Sequence, residues 1–231
     1  HQRMNDGEPN CLVMWNGRTY RTSLTMKLQA EKAQETLRAL EAAGVQIHVH
    51  GAGLLPDMWN TPPEDLPERE KYIRMWAIPE YRREAPGEDV AHTFIDVVCP
   101  NGLVIDFGSG TGRGALALAN AGLDVWMVDF ASNCRDNEAL HIPFLEHDLS
   151  EPIPLRADYG YCTDVLEHIP PHQVETVIRN IMTSAGTVFF QIATVPDNFG
   201  AVINQHLHLT VEPHDWWAET FKRLGYAVTW D

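Results

Sequence analysis

The chain is poor in basic residues. It has 17 Lys and Arg against 32 Asp and Glu, a formal net charge of −15 over 231 residues. That balance disfavours nonspecific binding to nucleic acid, whose phosphates reward basic surfaces. The densest basic stretch holds Arg69, Lys71, Arg74, Arg82 and Arg83. It is interrupted by Glu64, Glu68, Glu70, Glu80 and Glu84, which reads as a solvated, salt-bridged face. Long apolar runs are missing too. No stretch reaches the roughly 18 residues of a membrane-spanning helix, so no membrane span is expected. The opening HQRMNDGEPN lacks the apolar core of a secretory signal. The four cysteines, Cys11, Cys99, Cys134 and Cys162, form no CxxC pair. They read as reduced thiols of a cytoplasmic protein, not as a zinc site. There is no internal repeat and no low-complexity segment.

What is present divides into two parts. Residues 12–22 (LVMWNGRTYRT) read as a hairpin around Asn16-Gly17, a dipeptide suited to a turn with positive φ. A helix follows over 23–43, with Leu28, Ala33, Leu37, Leu40 and Ala43 near helical spacing and Gly44 after its end. A short alternating strand (45–50) comes next, then a proline-rich connection over 51–70. A helix near 88–98 leads into regular strand–helix alternation from 103 to the last expected strand, YAVTWD (226–231). Alternation of this kind implies an α/β, Rossmann-like, doubly wound and mostly parallel sheet with flanking helices. Residues 1–84 would be an N-terminal α+β extension to that domain, which takes up 85–231.

The informative stretch is VIDFGSGTGRGALALANAGLDVWMVDF, residues 104–130. A glycine turn at the end of a first strand brings backbone N–H groups and a helix start close to a ligand. A Walker A loop is excluded, because no Gly-Lys-Ser/Thr follows. The dinucleotide pattern G-x-G-x-x-G/A is formally met by Gly110, Gly112 and Ala115. The neighbouring acids argue otherwise. Asp106 stands where it would repel a pyrophosphate and hold an ammonium group. Asp129 ends the next strand, placed to accept two ribose hydroxyls, and Asp148 follows the third strand within reach of an adenine amino group. Ammonium, ribose and adenine together describe S-adenosylmethionine.

On these residues the chain resembles the class I S-adenosylmethionine-dependent methyltransferases. DFGSGTG (106–112) is similar to their glycine-rich first motif, Asp129 to their ribose acid, and Asp148-Leu149 to their adenine-contacting pair. TDVLEHIP (163–170) looks like their fourth-strand motif. The resemblance covers roughly 85–231 and leaves 1–84 unmatched. It implies a cofactor set of Asp106, Gly108, Ser109, Gly110, Gly112, Asp129, Phe130, Asp148, Leu149 and Asp164. It also implies methyl transfer to a small-molecule acceptor. A nucleobase methylase, an aminocarboxypropyl transferase and a non-catalytic binding or assembly module of the same fold are the alternatives. One departure stands out. The family's sheet ends with a sixth and an antiparallel seventh strand, and here either the seventh is missing or a strand such as 45–50 takes an edge.

Methyl transfer needs alignment of the acceptor, and a base where that acceptor must lose a proton. His168, after the fourth strand, is the first candidate base. His206 and His208 alternate about Leu207 and would face one side of an extended loop. As a metal pair they lack an obvious carboxylate or thiolate partner, with Glu212 only a guess, so no metal is expected. Of Trp216 and Trp217, one should be core and the other a pocket wall. The aromatic and basic stretch 71–88, with Tyr72, Trp76 and Tyr81, is placed as a lid would be. Aromatic surface in the first 84 residues could instead serve a homodimer or another partner.

Overall fold

The computed structural model describes residues 10–15, 18–23, 47–48 and 66–229. The chain divides into two compact units, 1–66 with 198–205, and 67–197 with 206–231. In the first, β1 (Asn10–Trp15) and β2 (Arg18–Ser23) run antiparallel with Trp15 opposite Arg18. Two residues connect them, as Asn16-Gly17 leads one to expect. β3 (Ile47–His48) pairs with β1 from the other side, giving the order β2-β1-β3. The strand expected within 45–50 therefore exists, but it does not edge the larger sheet: its backbone groups are satisfied by the free side of β1. The helix expected over 23–43 lies outside the described residues except at Ser23, which ends β2, and of the connection expected over 51–70 only 66–70 are described, the last three of them helical.

The second unit is built on five strands, β4 (Val104–Phe107), β5 (Val125–Asp129), β6 (Phe144–Glu146), β7 (Ala157–Thr163) and β8 (Ala185–Gln191). They lie in the order β6-β5-β4-β7-β8, and every neighbouring pair is parallel. A parallel sheet is covered on both faces, so its central strands read as near-continuous apolar runs. VIDF, buried at all four positions, and VWMVD show this. The strand order reverses between β4 and β7, and the crevice outside the carboxyl ends at such a point is where open α/β sheets bind ligands.

Among the described residues, five helices accompany the sheet: α1 (Glu68–Trp76), α2 (Pro86–Val98), α3 (Arg113–Asn120), α4 (Val174–Ser184) and α5 (His214–Arg223). α2 starts with proline in its first turn and Glu88 and Asp89 beside it, which suits the positive end of the helix dipole. In α4 the buried Val174, Val177, Ile178 and Ile181 recur at i, i+3, i+4 and i+7, one apolar face. Alternation along each strand then builds two cores. Ile105, Phe107 and Val128 join α4, Trp217 and Phe221 in one. Val104, Met127 and Val125 join Phe94 of α2 and Leu118 of α3 in the other. Each fully buried side chain of this size stabilises the fold by about 1.5–3 kcal/mol.

The strand expected over 226–231 is not formed at 226–229, and 230–231 lie outside the described residues. α5 ends instead in a tight turn. Gly225 adopts φ +90°, and the Tyr226 N–H donates to the Phe221 carbonyl at 3.0 Å. Tyr226 and Val228 pack against the Ile105–Trp217 core. The apolar alternation is thus used for packing without a ladder partner.

Candidate active site

The turn after β4 is shaped by its glycines. Gly108, Gly110 and Gly112 have φ of +69°, +48° and +80°, left-handed values that side chains rarely adopt. Protein occupies the places their Cβ atoms would take. At Gly108 a Cβ would lie 2.4 Å from Val165 Cγ2, at Gly110 3.0 Å from the Trp76 ring, and at Gly112 2.6 Å from the Ala139 Cβ. Close packing of the turn, more than room for a ligand, thus makes glycine necessary here. The Gly108 and Ser109 N–H groups both donate to the Val128 carbonyl, at 2.8 and 3.1 Å, which ties the turn to β5. The Ser109 hydroxyl is buried and has no partner.

Asp129 ends β5 beside this turn and is nearly fully buried. Its Oδ2 accepts from the Gly110 N–H at 3.0 Å and its Oδ1 from the Ala131 N–H at 2.9 Å. Each oxygen keeps a lone pair for another donor. Burial pushes its pKa up to about 6, and the backbone N–H groups only partly offset this. Asp106, buried on β4, is pushed up to about 7 by its own burial and by the charge of Asp129, against a hydrogen bond from the Ala115 backbone. Asp148 and Leu149 follow His147, whose N–H donates to the Asp129 carbonyl at 2.9 Å. Asp148 is exposed and closes a local turn by accepting from the Ser150 N–H at 2.8 Å. Leu149 packs in the core with Ile105 and Ile178.

α1 lies over the strand ends and is held at several points. Arg69 Nε donates to the Phe130 carbonyl at 2.8 Å, and the Asn133 amide donates to the Ile73 carbonyl at 2.9 Å. Buried Lys71 donates to Glu68 at 2.7 Å and to the His206 carbonyl at 3.0 Å. The Tyr72 ring packs on Phe130 and on His168, with centroids 5.6 Å apart in each case. Further on, Arg82 donates to the carbonyls of Trp76, Asn133 and Arg135 and pairs with Asp136 at 2.6 Å, while Arg113 takes the other oxygen of Asp136 at 2.9 Å. Within this stretch Lys71 pairs with Glu68 and Arg74 with Glu70, whereas Arg69 and Arg82 pair with Glu146 and Asp136 outside it.

The loops after β7 and β8 bring the remaining candidates together. Asp164 has φ +50° and donates its N–H to the Gln191 carbonyl at 3.0 Å. Glu167, fully buried, anchors the second loop. Its carbonyl accepts from Leu209 and Thr210 N–H groups at 2.7 and 2.9 Å, and its Oε1 from Ala193 at 2.9 Å. Burial, and then the charge of Asp164, pushes Glu167 up to about 8; burial likewise raises Asp164. His168 keeps some exposed surface, yet the protein around its ring and the neighbouring His208 hold it down to about 3. Its Nδ1 is 2.6 Å from the Tyr72 hydroxyl and 3.1 Å from the Leu207 carbonyl.

The structure separates the two histidines expected to face one side of the loop. His208 meets His168 with ring centroids 4.7 Å apart, whereas the His206 side chain is exposed and contributes only its carbonyl to Lys71. Leu207, buried between them, and the pull of Glu167 on the Leu209 N–H turn the segment inward at 208. Trp217 is core and Trp216 packs partly buried against it. Glu167 stands one residue before His168 in sequence, but its burial and its bonds to the loop after β8 become visible only in the fold.

Residues 105–190 match the family model for a methyltransferase domain, a segment that runs from β4 into β8. The match takes in the turn after β4 and most of the five-stranded parallel sheet. No curated protein matches the chain by sequence. Among solved structures the chain is similar to a Nostoc punctiforme protein provisionally named an O-methyltransferase. The TM-score is 0.54 at 14% identity, covering 87% of this chain and 64% of that one. It is also similar to the Burkholderia thailandensis 1,6-didemethyltoxoflavin-N1-methyltransferase, solved with that substrate and S-adenosylhomocysteine. There the TM-score is 0.54 at 18% identity, covering 70% of this chain and 82% of that one. These likenesses establish the fold. The chain spans less than two thirds of the Nostoc protein's length. Among the described residues, no helix is long and apolar enough to cross a membrane.

Proposed function

We propose that the protein is an S-adenosylmethionine-dependent methyltransferase acting on a small-molecule acceptor. The observation that carries this reading is Asp129, a buried carboxylate at the end of β5 whose Oδ2 holds the Gly110 N–H of the glycine turn. A carboxylate so fixed can accept ribose hydroxyls without having to be ordered first. The cofactor fits the residues present. The orphaned Ser109 hydroxyl needs a partner, Asp106 is an acid suited to an ammonium group, and Phe130 and Tyr72 provide apolar walls. When bound, the cofactor supplies a sulfonium-activated methyl group.

The chain's own residues do the rest. α1 and the loop after β8 exclude water and orient the acceptor, which accounts for much of the acceleration in such a reaction. His168 and His208 face that acceptor and hold its hydroxyl or amine, and Asp164 lines the methyl region. Asp148 and Leu149 would form the adenine side through the backbone of their turn. The exposed His206 ring has no part in this. The domain proposed for this work is residues 85–231, with α1 and the segment to residue 84 as its lid. A reducing cytoplasm suits Cys99, Cys134 and Cys162, which are all free thiols.

The test is formation of S-adenosylhomocysteine from methyl-labelled S-adenosylmethionine over a panel of phenols, aliphatic alcohols and amines, with product masses recorded. A methylated product from one acceptor class is expected. Transfer of an aminocarboxypropyl group, or binding without turnover on any acceptor including nucleobases, would overturn the reading.

A further inference from the structure

The cluster at Glu167, His168 and His208 carries more than acceptor positioning. One carboxylate oxygen of Glu167 and one ring nitrogen of each histidine all lie within 4.8 Å of one another. Both rings are anchored from outside the cluster through Nδ1. His208 Nδ1 is 2.6 Å from the Val195 carbonyl, and His168 Nδ1 is 3.1 Å from the Leu207 carbonyl and 2.6 Å from the Tyr72 hydroxyl. With Nδ1–H donated to these oxygens, the Tyr72 hydroxyl accepting as the carbonyls do, Nε2 of each ring is left for the cluster. Anchoring the second ring N–H on a carbonyl is how proteins orient histidines that bind metals.

The acids point the same way. Glu167 is fully buried; its Oε1 is taken by the Ala193 N–H, but its Oε2 has no donor. Asp164 Oδ2 is likewise buried with no donor. None of the ion pairs among the described residues reaches either carboxylate. Asp164 and Glu167 are close enough to share a proton between their side chains, and a cation held by Glu167 and the two rings would take that proton's place.

We propose that Glu167, His168 and His208, with Asp164 at their side, form a binding site for a divalent transition-metal ion. Two imidazole nitrogens and carboxylate oxygens suit zinc, manganese, cobalt or nickel better than the harder calcium or magnesium. The ion's role rests on the methyltransferase reading, though its binding does not. Seated on the histidine lone pairs, it would take up a hydroxyl-bearing acceptor and acidify it by coordination. The proton would then leave to water, with no histidine serving as the base. Spacing alone does not reveal the cluster, because the partners of His208 lie about forty residues upstream, while His206, its neighbour in sequence, points away.

The test uses the full chain after stripping with a chelator. Zinc is titrated by calorimetry and cobalt by its visible absorption, on the wild type, His208→Ala and His206→Ala. S-Adenosylhomocysteine binding and circular dichroism are measured on the same samples. One ion per chain is expected, with affinity lowered at least about tenfold by His208→Ala and unchanged by His206→Ala. Cobalt bands should show nitrogen and oxygen ligation. No stoichiometric binding, or equal binding by folded His208→Ala, would overturn the site and leave Asp164 and Glu167 as a pair sharing a proton. Equal losses in the two variants would mark adventitious surface binding and also overturn it. Metal binding without S-adenosylhomocysteine binding would keep the site while sinking the methyltransferase reading, so the two fail separately.

Discussion

Replacing Gly108 by alanine tests how the glycine turn is joined to the loop that carries His168. At φ +69° an alanine meets the left-handed penalty, roughly 1–2 kcal/mol. Its Cβ would also stand 2.4 Å from Val165 Cγ2, 3.2 Å from Cγ1 and 3.4 Å from Cβ. Valine is stiff about χ1, and rotating it only exchanges one methyl for the other. Overpacking a buried site in this way costs a further 1–3 kcal/mol or so. Gly122 is the control, with φ +94° and nothing within 4 Å of the Cβ an alanine would add, so only the backbone penalty applies. The expected losses are about 2–5 kcal/mol for Gly108→Ala and about 1–2 for Gly122→Ala. For a chain of this size each kcal/mol lowers the melting temperature by roughly 2–4 °C. Adding Val165→Ala to Gly108→Ala should restore part of the loss, giving a double variant less destabilised than the sum of the singles. Thermal and urea unfolding read the wild type, the three single variants and the double variant. Equal losses at the two glycines, or strict additivity with Val165→Ala, would refute the packing argument.

Three further outcomes follow from the same contacts. Asp129 has a folded pKa near 6 against an ordinary 3.8, so between those values the folded state binds the extra proton. Stability conferred by Asp129 is therefore present below about pH 4 and lost as pH rises to about 7. Relative to Asp129→Asn, the wild type should lose ~3 kcal/mol across that window, and a difference that is flat or rises with pH contradicts the buried carboxylate. Asp136→Ala leaves Arg82 and Arg113 without their shared acid, and should cost about 1–3 kcal/mol and speed tryptic cleavage near Arg82 and Arg83. Unchanged stability and cleavage would mean the segment is held by its carbonyl contacts alone. Lys71→Met removes the bonds to Glu68 and the His206 carbonyl while keeping the buried stem. Faster amide exchange along α1, with the sheet unaffected, is expected; uniform exchange behaviour would show that Lys71 does not latch the helix.

The glycine turn, the strand–helix alternation and the hairpin at Asn16-Gly17 were legible because each is local. A turn residue or an apolar period speaks for its own few neighbours. The last strand was not. YAVTWD has the right alternation, but a strand also needs a ladder partner, and Tyr226 and Val228 found a core to pack on instead. The histidines show the same limit. Spacing of two put His206 and His208 on one side of an idealised extended chain, whereas buried Leu207 and the backbone bonds to Glu167 decided which of them turns inward. At Gly108, Gly110 and Gly112 the space a side chain would need is taken by Val165, Trp76 and Ala139, none of them near in sequence. What sequence conveys poorly is which distant loop will occupy a space.

The central claim is that Asp129 and the glycine turn hold S-adenosylmethionine, and the most direct measurement is a calorimetric titration with S-adenosylhomocysteine at neutral pH. Wild type and Asp129→Ala are compared, with circular dichroism confirming that both are folded. The account predicts micromolar binding by the wild type, about −8 kcal/mol, weakened at least about tenfold by loss of the carboxylate. No binding by the folded wild type, or equal binding by Asp129→Ala, would contradict it.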